Sequence, residues 1–263
     1  MVRNLWQHRD LIRQFTKREI EGRYKGSFLG IFWSIINPLI LLLCYTFVFG
    51  VVFQSRWAQA KTDSLLEFAV TIFCGLTVFN LFSETVGRSP TLVVAVPNYV
   101  KKVVFPLEIL PLSSLVVSAY FSLFSFAILI IANFFVTGSI PWTIVFVPII
   151  LLPLFGFSLG ISWLLASFGV FVRDITYFIA LILQLLFFLT PIFYSLESVP
   201  SSFVGIIRAN PLASIVENVR RVVLWGMYPN WVDILIWTTI ACVVLVVAYA
   251  WFMKTKKAFA DVI

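Results

Sequence analysis

Charge is scarce in this chain. Of its 263 residues only 12% are Asp, Glu, Lys or Arg, about half the ~25% typical of soluble domains. Hydrophobic residues make up 61%, and mean hydropathy is +1.01. A soluble chain of this length cannot hide so much apolar surface in one or two cores. An ordinary cytosolic enzyme, a secreted disulfide scaffold and a disordered chain are thereby excluded. Histidine occurs once, as His8. Cys44, Cys74 and Cys242 stand alone in apolar runs, with neither a CxxC pair nor a metal-ligand spacing. They read as free thiols that pack like small hydrophobes. No glycine is followed directly by lysine, so there is no P-loop. The acids, Glu84, Glu108 and Asp174 among them, are scattered in loops or at the edges of apolar runs. None forms the membrane-embedded carboxylate pair of a proton-coupled transporter. A membrane glycosyl- or acyltransferase would need such carboxylates clustered, or a base near the membrane face. The sequence therefore points away from an enzyme, and any pumping energy must come from another chain.

Long apolar runs are what the sequence has in abundance. A helix needs about 20 apolar residues to cross a bilayer. Six runs meet or approach that length: Phe28–Val52, Leu65–Phe82, Ile109–Val136, Trp142–Ala166, Ile175–Tyr194 and Trp231–Met253. They are too long and too uniformly apolar for barrel strands. In lipid each backbone polar group must be paired internally, so the runs should be helices. Met1–Ser27 is polar and basic, unlike a cleavable signal peptide. No internal repeat, low-complexity tract or soluble domain is evident.

Net charge is +7 with a pI of about 9.5. Lysine and arginine collect on the cytoplasmic flanks of membrane spans, and no nucleic-acid motif accompanies the charge; nucleic acid is not an expected partner. With the N-terminus inside, most of the 19 Lys and Arg fall on the cytoplasmic side. Only Arg56, Lys61, Arg208, Arg220 and Arg221 fall outside, so both termini should be cytoplasmic. A seventh span over Leu196–Tyr228 would bring Glu217, Arg220 and Arg221 into hydrocarbon and the Lys254–Lys257 cluster outside. Two short helices dipping into the outer leaflet fit better, broken near Asn210-Pro211 and bounded by Pro200 and Pro229. Glu217 can then pair with Arg221 at i,i+4. The expected fold is an all-α membrane protein with six spans, an N-terminal amphipathic interfacial helix and these short outer helices. One transmembrane domain covers 1–263: interfacial helix and lead-in over 1–27, spans one to five over 28–194, the re-entrant region over 195–230, span six over 231–253 and the tail over 254–263.

Several segments could carry function. In the N-terminal stretch Leu5, Leu11, Ile12 and Phe15 share one arc, with Asp10, Arg13 and Lys17 opposite. Such a helix lies in the interface, either as a simple anchor or as a platform for an anionic lipid. Gly22, Gly26 and Gly30 at spacing four suggest a flat face for close helix approach. Arg23 and Lys25 beside them are either ordinary flanking charge or a grip on a phosphate headgroup. Asn37-Pro38 puts an amide and a helix breaker inside span one. Asn37 should face either a neighbouring helix or a wet path. Pro97-Asn-Tyr-Val-Lys-Lys102, before Phe105-Pro-Leu-Glu108, reads as a surface helix for docking a cytoplasmic partner or as a plain re-entry loop. Gly156 and Gly160 form a packing face. Thr190-Pro191 should break span five, whose aromatic end is either an interfacial belt or a lining on which sugars slide.

The order of these parts resembles the permease subunit of bacterial ABC transporters that export lipid-linked polysaccharide, in the type-2 ABC permease family. The likeness runs through Arg23–Gly30, Trp33-Ser-Ile-Ile-Asn-Pro38, Pro97–Lys102, Phe105–Glu108, Leu189-Thr-Pro-Ile-Phe-Tyr194 and Asn210-Pro211. Tyr45–Phe53 followed by Arg56-Trp57 looks most like the O-antigen branch; capsule and teichoic-acid permeases share much of the rest, and a drug or small-lipid permease is a nearby variant. The resemblance implies a homodimer in the bacterial inner membrane, bound to two copies of a cytoplasmic P-loop ATPase that uses ATP and Mg; no cofactor is implied for this chain itself. It implies an undecaprenyl-diphosphate-linked glycan as substrate. By the same analogy Trp33, Asn37, Tyr45, Phe187, Phe188, Phe193 and Tyr194 would line the channel. Arg23 and Lys25 would meet the pyrophosphate, and Pro97, Asn98, Tyr99, Lys101 and Lys102 would couple to the ATPase. The Leu196–Tyr228 pair, with Glu217, Arg220 and Arg221, would form the periplasmic gate.

Overall fold

The computed structural model describes residues 1–52, 64–102 and 105–263. Arg56, Trp57 and Lys61 lie outside the described residues, as does the side chain of Lys102. Among the described residues the chain is helical throughout, with no strand. Its helices are α1 (Val2–Gln7), α2 (Arg9–Arg23), α3 (Trp33–Tyr45), α4 (Leu65–Arg88), α5 (Pro97–Lys102), α6 (Ile109–Thr137), α7 (Val147–Ile150), α8 (Leu152–Phe171), α9 (Ile175–Leu189), α10 (Ser201–Arg208), α11 (Pro211–Val223), α12 (Trp231–Thr255) and α13 (Phe259–Val262).

Among the described residues five stretches are long and apolar enough to cross a membrane: Gly30–Val52, Leu65–Thr91, Ile109–Thr137, Trp142–Phe171 and Trp231–Val262. The protein is a multi-pass membrane protein. The sixth expected run is shorter than the expectation. At 15 residues, α9 is about 22 Å long, less than the ~30 Å of hydrocarbon. Its stop is local: Thr190 is extended (φ −87°, ψ 132°), as a residue before proline must be.

Burial sorts the helices. The apolar stretch of α4 is 78% buried, whereas of the stretch containing α3 only Ser34 is buried. Thus α4 is the hub, packed by α3, α6, α8, α9 and α11. Two glycines fix the approach of α8 to α12. A Cβ on Gly156 would lie 3.0 Å from the Ala241 Cβ, and one on Gly160 would lie 3.2 Å from the Leu245 backbone. This is the small-residue packing expected of that pair. A tighter approach, which the sequence did not announce, sits at Gly169: its Cβ would fall 2.0 Å from the Pro90 carbonyl oxygen.

The N-terminal glycines behave differently from the expectation. Helix α2 ends at Arg23, and Gly26 and Gly30 take φ of +87° and +51°. No atom lies within 4 Å of a Cβ built on Gly22, Gly26 or Gly30. They make a turn between α2 and span one, not a helix face. Pro38 lies within α3, and the helix loosens to a π turn over Thr46–Val52.

The two chain ends meet at one face. Glu108 accepts from Asn4 Nδ2 at 2.7 Å and from Lys256 Nζ at 2.9 Å. Asn4 Nδ2 also donates to the Tyr249 hydroxyl, and the buried Trp163 donates Nε1 to the Glu108 carbonyl at 3.0 Å. Burial alone would raise the Glu108 carboxyl. A backbone hydrogen bond, with Lys256 and Asn4, outweighs it and holds the group below its ordinary value.

Candidate functional site

A polar recess lies where the lead-in segment meets α3, α4 and α6, with a volume of about 320 Å³. Trp33 and Asn37 enter from α3, Asn80 and Glu84 from α4, and Ser118 and Ser122 from α6. Asn80 is exposed although the residues around it on α4 are buried, and Asn37 is exposed as well. Most hydroxyls here return their proton to their own helix: Thr77 to the Phe73 carbonyl at 2.8 Å and Ser122 to the Ala119 carbonyl at 2.8 Å. The Ser118 hydroxyl is buried and has no partner. The recess offers amides and hydroxyls without a deep charged socket.

Arg23 stands at its rim. The guanidinium is ion-paired with Glu84 and lies 4.2 Å from the Phe121 ring centroid. Glu19 and Arg88 pair in the same way. The two pairs use positions four apart on α2 and four apart on α4, in opposite chain directions, so they form a charge ladder pinning the N-terminal helix to the hub helix. Among the described residues Lys25 makes no ion pair and is exposed. The structure brings Arg23, expected at a pyrophosphate entry, into one recess with Trp33 and Asn37, expected to line the channel; the sequence reading assigned no role there to Asn80, Glu84 or the serines. The signal was present: Asn80 and Glu84 are four apart, and Ser118, Ser122 and Ser125 repeat at helical spacing inside an apolar run.

The aromatic candidates form a second, separate cluster. Tyr45 lies 6.0 Å from Phe187 and 5.0 Å from Phe193, centroid to centroid. Phe49 stacks on Phe193 at 4.4 Å with a 17° tilt, and Phe79 meets Phe187 at 5.1 Å. Phe193 is buried by these neighbours, while Phe188 is 59% exposed. The Tyr194 hydroxyl donates to the Phe188 carbonyl at 3.1 Å. The cluster locks the far end of span one to the break after α9.

The docking candidate is a helix, α5. Pro97, Asn98 and Lys101 are exposed. Tyr99 faces inward instead, 5.6 Å from Phe15 and 4.8 Å from Phe105. Phe15 also meets Phe105 at 5.1 Å, so α2 packs beside α5.

The outer pair also differs from the expectation in detail. Helices α10 and α11 do meet at Asn210, whose side chain accepts from the Leu212 amide and donates to Thr190 Oγ1 at 3.0 Å. Glu217 pairs not with Arg221 but with Arg220, at 3.9 Å. Arg221 donates Nε to the Tyr228 carbonyl. Arg220 is not on an exposed side and is not a loop charge: it is 0% exposed. It donates to the carbonyls of Thr71 at 3.3 Å, Pro191 at 2.7 Å and Ile192 at 3.0 Å. Pro191 and Ile192 follow the end of α9, where no helical amide meets their carbonyls, and a long planar fork reaches both of them and the Thr71 carbonyl of α4 as well. Gly75 makes room for it, since a Cβ there would lie 2.9 Å from Arg220 Nη2.

Comparison with known proteins adds to this geometry. The family model of the ABC-2 type transporter matches residues 10–224. An O-antigen export system permease protein RfbA of Klebsiella pneumoniae is 31% identical, with 100% of this chain and 98% of that protein covered. A protein of the same name from Myxococcus xanthus is 26% identical over 99% and 98% of the two chains. The polysialic acid transport protein KpsM of Escherichia coli is 24% identical, over 92% of each chain.

Proposed function

Because the chain belongs to the ABC-2 type transporter family, we propose that it is the membrane permease of a glycan exporter, carrying an undecaprenyl-diphosphate-linked polysaccharide of O-antigen type across the bacterial inner membrane. ATP and Mg are used by a separate cytoplasmic P-loop ATPase, two copies of which serve a homodimer of this chain. The observation that carries the reading is the open polar recess of Asn37, Asn80 and Ser118 on an otherwise apolar face. Amides left facing hydrocarbon are costly. Facing a second copy of the chain, the same groups line a path for hydroxyl-rich polymer, each desolvated hydroxyl of which would otherwise cost several kcal/mol. The similarity to the O-antigen permeases supports the glycan class. The weaker similarity to a polysialic acid transporter supports a capsular glycan as the second reading.

In this reading Trp33 and the exposed Phe188 offer ring faces to sugars. Tyr45, Phe187, Phe193 and Tyr194 hold the outer end of the path in shape. Lys25 meets the lipid pyrophosphate first, and Arg23 joins once it exchanges Glu84 for the incoming anion. Pro97, Asn98, Lys101 and Lys102 seat on the ATPase, with Tyr99 anchoring them to α2. Both termini lie in the cytoplasm, and α10 and α11 close the periplasmic end. Glu217 and Arg221 sit on the outer side of that closure, and Arg220 is its inner fastening. The test is Asn37→Leu with Asn80→Leu, read as surface glycan against membrane level of the protein. Export should fall roughly tenfold, the equivalent of one unpartnered polar group at ~1–3 kcal/mol, with insertion unchanged. Wild-type surface glycan would overturn the reading.

A further inference from the structure

A second groove, lined by other residues of α2, lies between that helix and the outer face of α6 and encloses about 520 Å³. Its floor is apolar: Ile12 and Ile20 from α2, and Val116 and Tyr120 from α6. Its rim is basic, because Arg9, Arg13 and Lys17 recur at every fourth residue along one edge. Glu21 neutralises Lys17 at 3.7 Å. Among the described residues neither Arg9 nor Arg13 has a carboxylate within ion-pair distance, and Arg9 lies 5.5 Å from the Trp6 ring centroid, so neither guanidinium charge is neutralised by an acid.

Thr16 makes the second, independent observation. It lines the groove, is 8% exposed, and its hydroxyl is buried with no hydrogen-bond partner. Thr46 is also buried without a partner, but other helical threonines, such as Thr71, Thr77 and Thr85, return the hydroxyl to the carbonyl one turn back at 2.8–2.9 Å. Thr16 does not. A buried donor left unmade costs about 1–3 kcal/mol, and an anion seated in the groove would give it an acceptor.

We propose that this groove is a binding site for an anionic glycerophospholipid. The phosphodiester sits between Arg9 and Arg13 and accepts from the Thr16 hydroxyl; an acyl chain covers Ile12, Ile20, Val116 and Tyr120. The depth agrees. Val116 is seven residues into α6, about 10 Å along the helix axis, where headgroup gives way to hydrocarbon. A free phosphate would use the arginines and leave the apolar floor wet. A zwitterionic lipid would bring its own cation to two that no acid neutralises. The site shares no lining residue with the polar recess, so it stands whether or not that recess carries glycan.

The experiment uses the full chain in phosphatidylcholine nanodiscs containing spin-labelled phosphatidylglycerol or spin-labelled phosphatidylcholine. An immobilised component is expected for phosphatidylglycerol alone, and it should persist in excess inorganic phosphate. At roughly fivefold per basic contact, Arg9→Gln with Arg13→Gln should weaken it about 25-fold. Val116→Trp, which fills the floor, should abolish it. Thr16→Val, a near-isosteric change that keeps the fold testable, should weaken it several-fold. Arg18→Gln removes a charge from the same helix but lines a different cavity, and should change nothing. Equal retention of phosphatidylcholine, displacement by phosphate, no loss in Thr16→Val, or an Arg18→Gln loss matching the double variant would each overturn the site.

Discussion

Replacing Arg220 with Met tests how the outer helix pair is fastened. Methionine fills similar space but donates nothing. The change removes three hydrogen bonds, to the Thr71, Pro191 and Ile192 carbonyls. Two of those acceptors stand in the break after α9, where no helical amide replaces the guanidinium. Losing a buried charge also removes its desolvation cost, so the three bonds do not add at full strength. The two buried carbonyls left without donors cost about 1–3 kcal/mol each, so the loss is about 4 kcal/mol. Glu217 contributes little of this, because its pairing distance is 3.9 Å and its side chain is 27% exposed. The assay is thermal unfolding of the purified chain in detergent, where a loss of that size corresponds to a midpoint lower by about 10 °C. Arg220→Lys reaches fewer carbonyls and should fall between, while Glu217→Gln should stay near wild type. An Arg220→Met protein as stable as wild type, or a Glu217→Gln protein destabilised as much as Arg220→Met, would refute this account of the fastening.

Gly169→Ala places a Cβ 2.0 Å from the Pro90 carbonyl oxygen, so α8 must separate from the end of α4. It should cut the yield of folded protein severalfold by size-exclusion profile, whereas Gly205→Ala, in open space, should leave it unchanged. Glu108 is held below its ordinary value of 4.5. A depressed carboxylate contributes stability that is fully present above the unfolded value and is lost as pH falls through the folded one. The difference in melting temperature between wild type and Glu108→Gln should therefore be constant near neutrality, begin to shrink as pH falls past about 4.5 and vanish only below the still lower folded value; a difference that grows in acid would contradict the junction. A cysteine in place of Ser201, at the start of α10, should be labelled by an impermeant thiol reagent from the periplasmic side. Labelling from the cytoplasm alone would reverse the proposed orientation.

Much of the site was legible because its residues violate the rule of their surroundings. Asn37 and Pro38 are conspicuous in an apolar run, and Arg23 flanks one. The serines of α6 are small enough to pass as packing residues, and Asn80 sits in a run otherwise buried, so only their convergence shows the recess. The glycine series around Gly22–Gly30 misled for a related reason: spacing predicts a face only if the helix continues, and positive φ at Gly26 and Gly30 ends it.

The sequence by itself determined that this chain lives in a bilayer, that it is helical, and where Thr190-Pro191 and Asn210-Pro211 interrupt it. These follow from hydration and from backbone geometry, which act over one or two turns. Tertiary structure decided which charges face inward and which polar groups converge. Arg220 and Arg221 are adjacent, and composition cannot tell them apart; only the orphaned carbonyls of a distant helix end, and the space left by Gly75, draw one of them wholly inside.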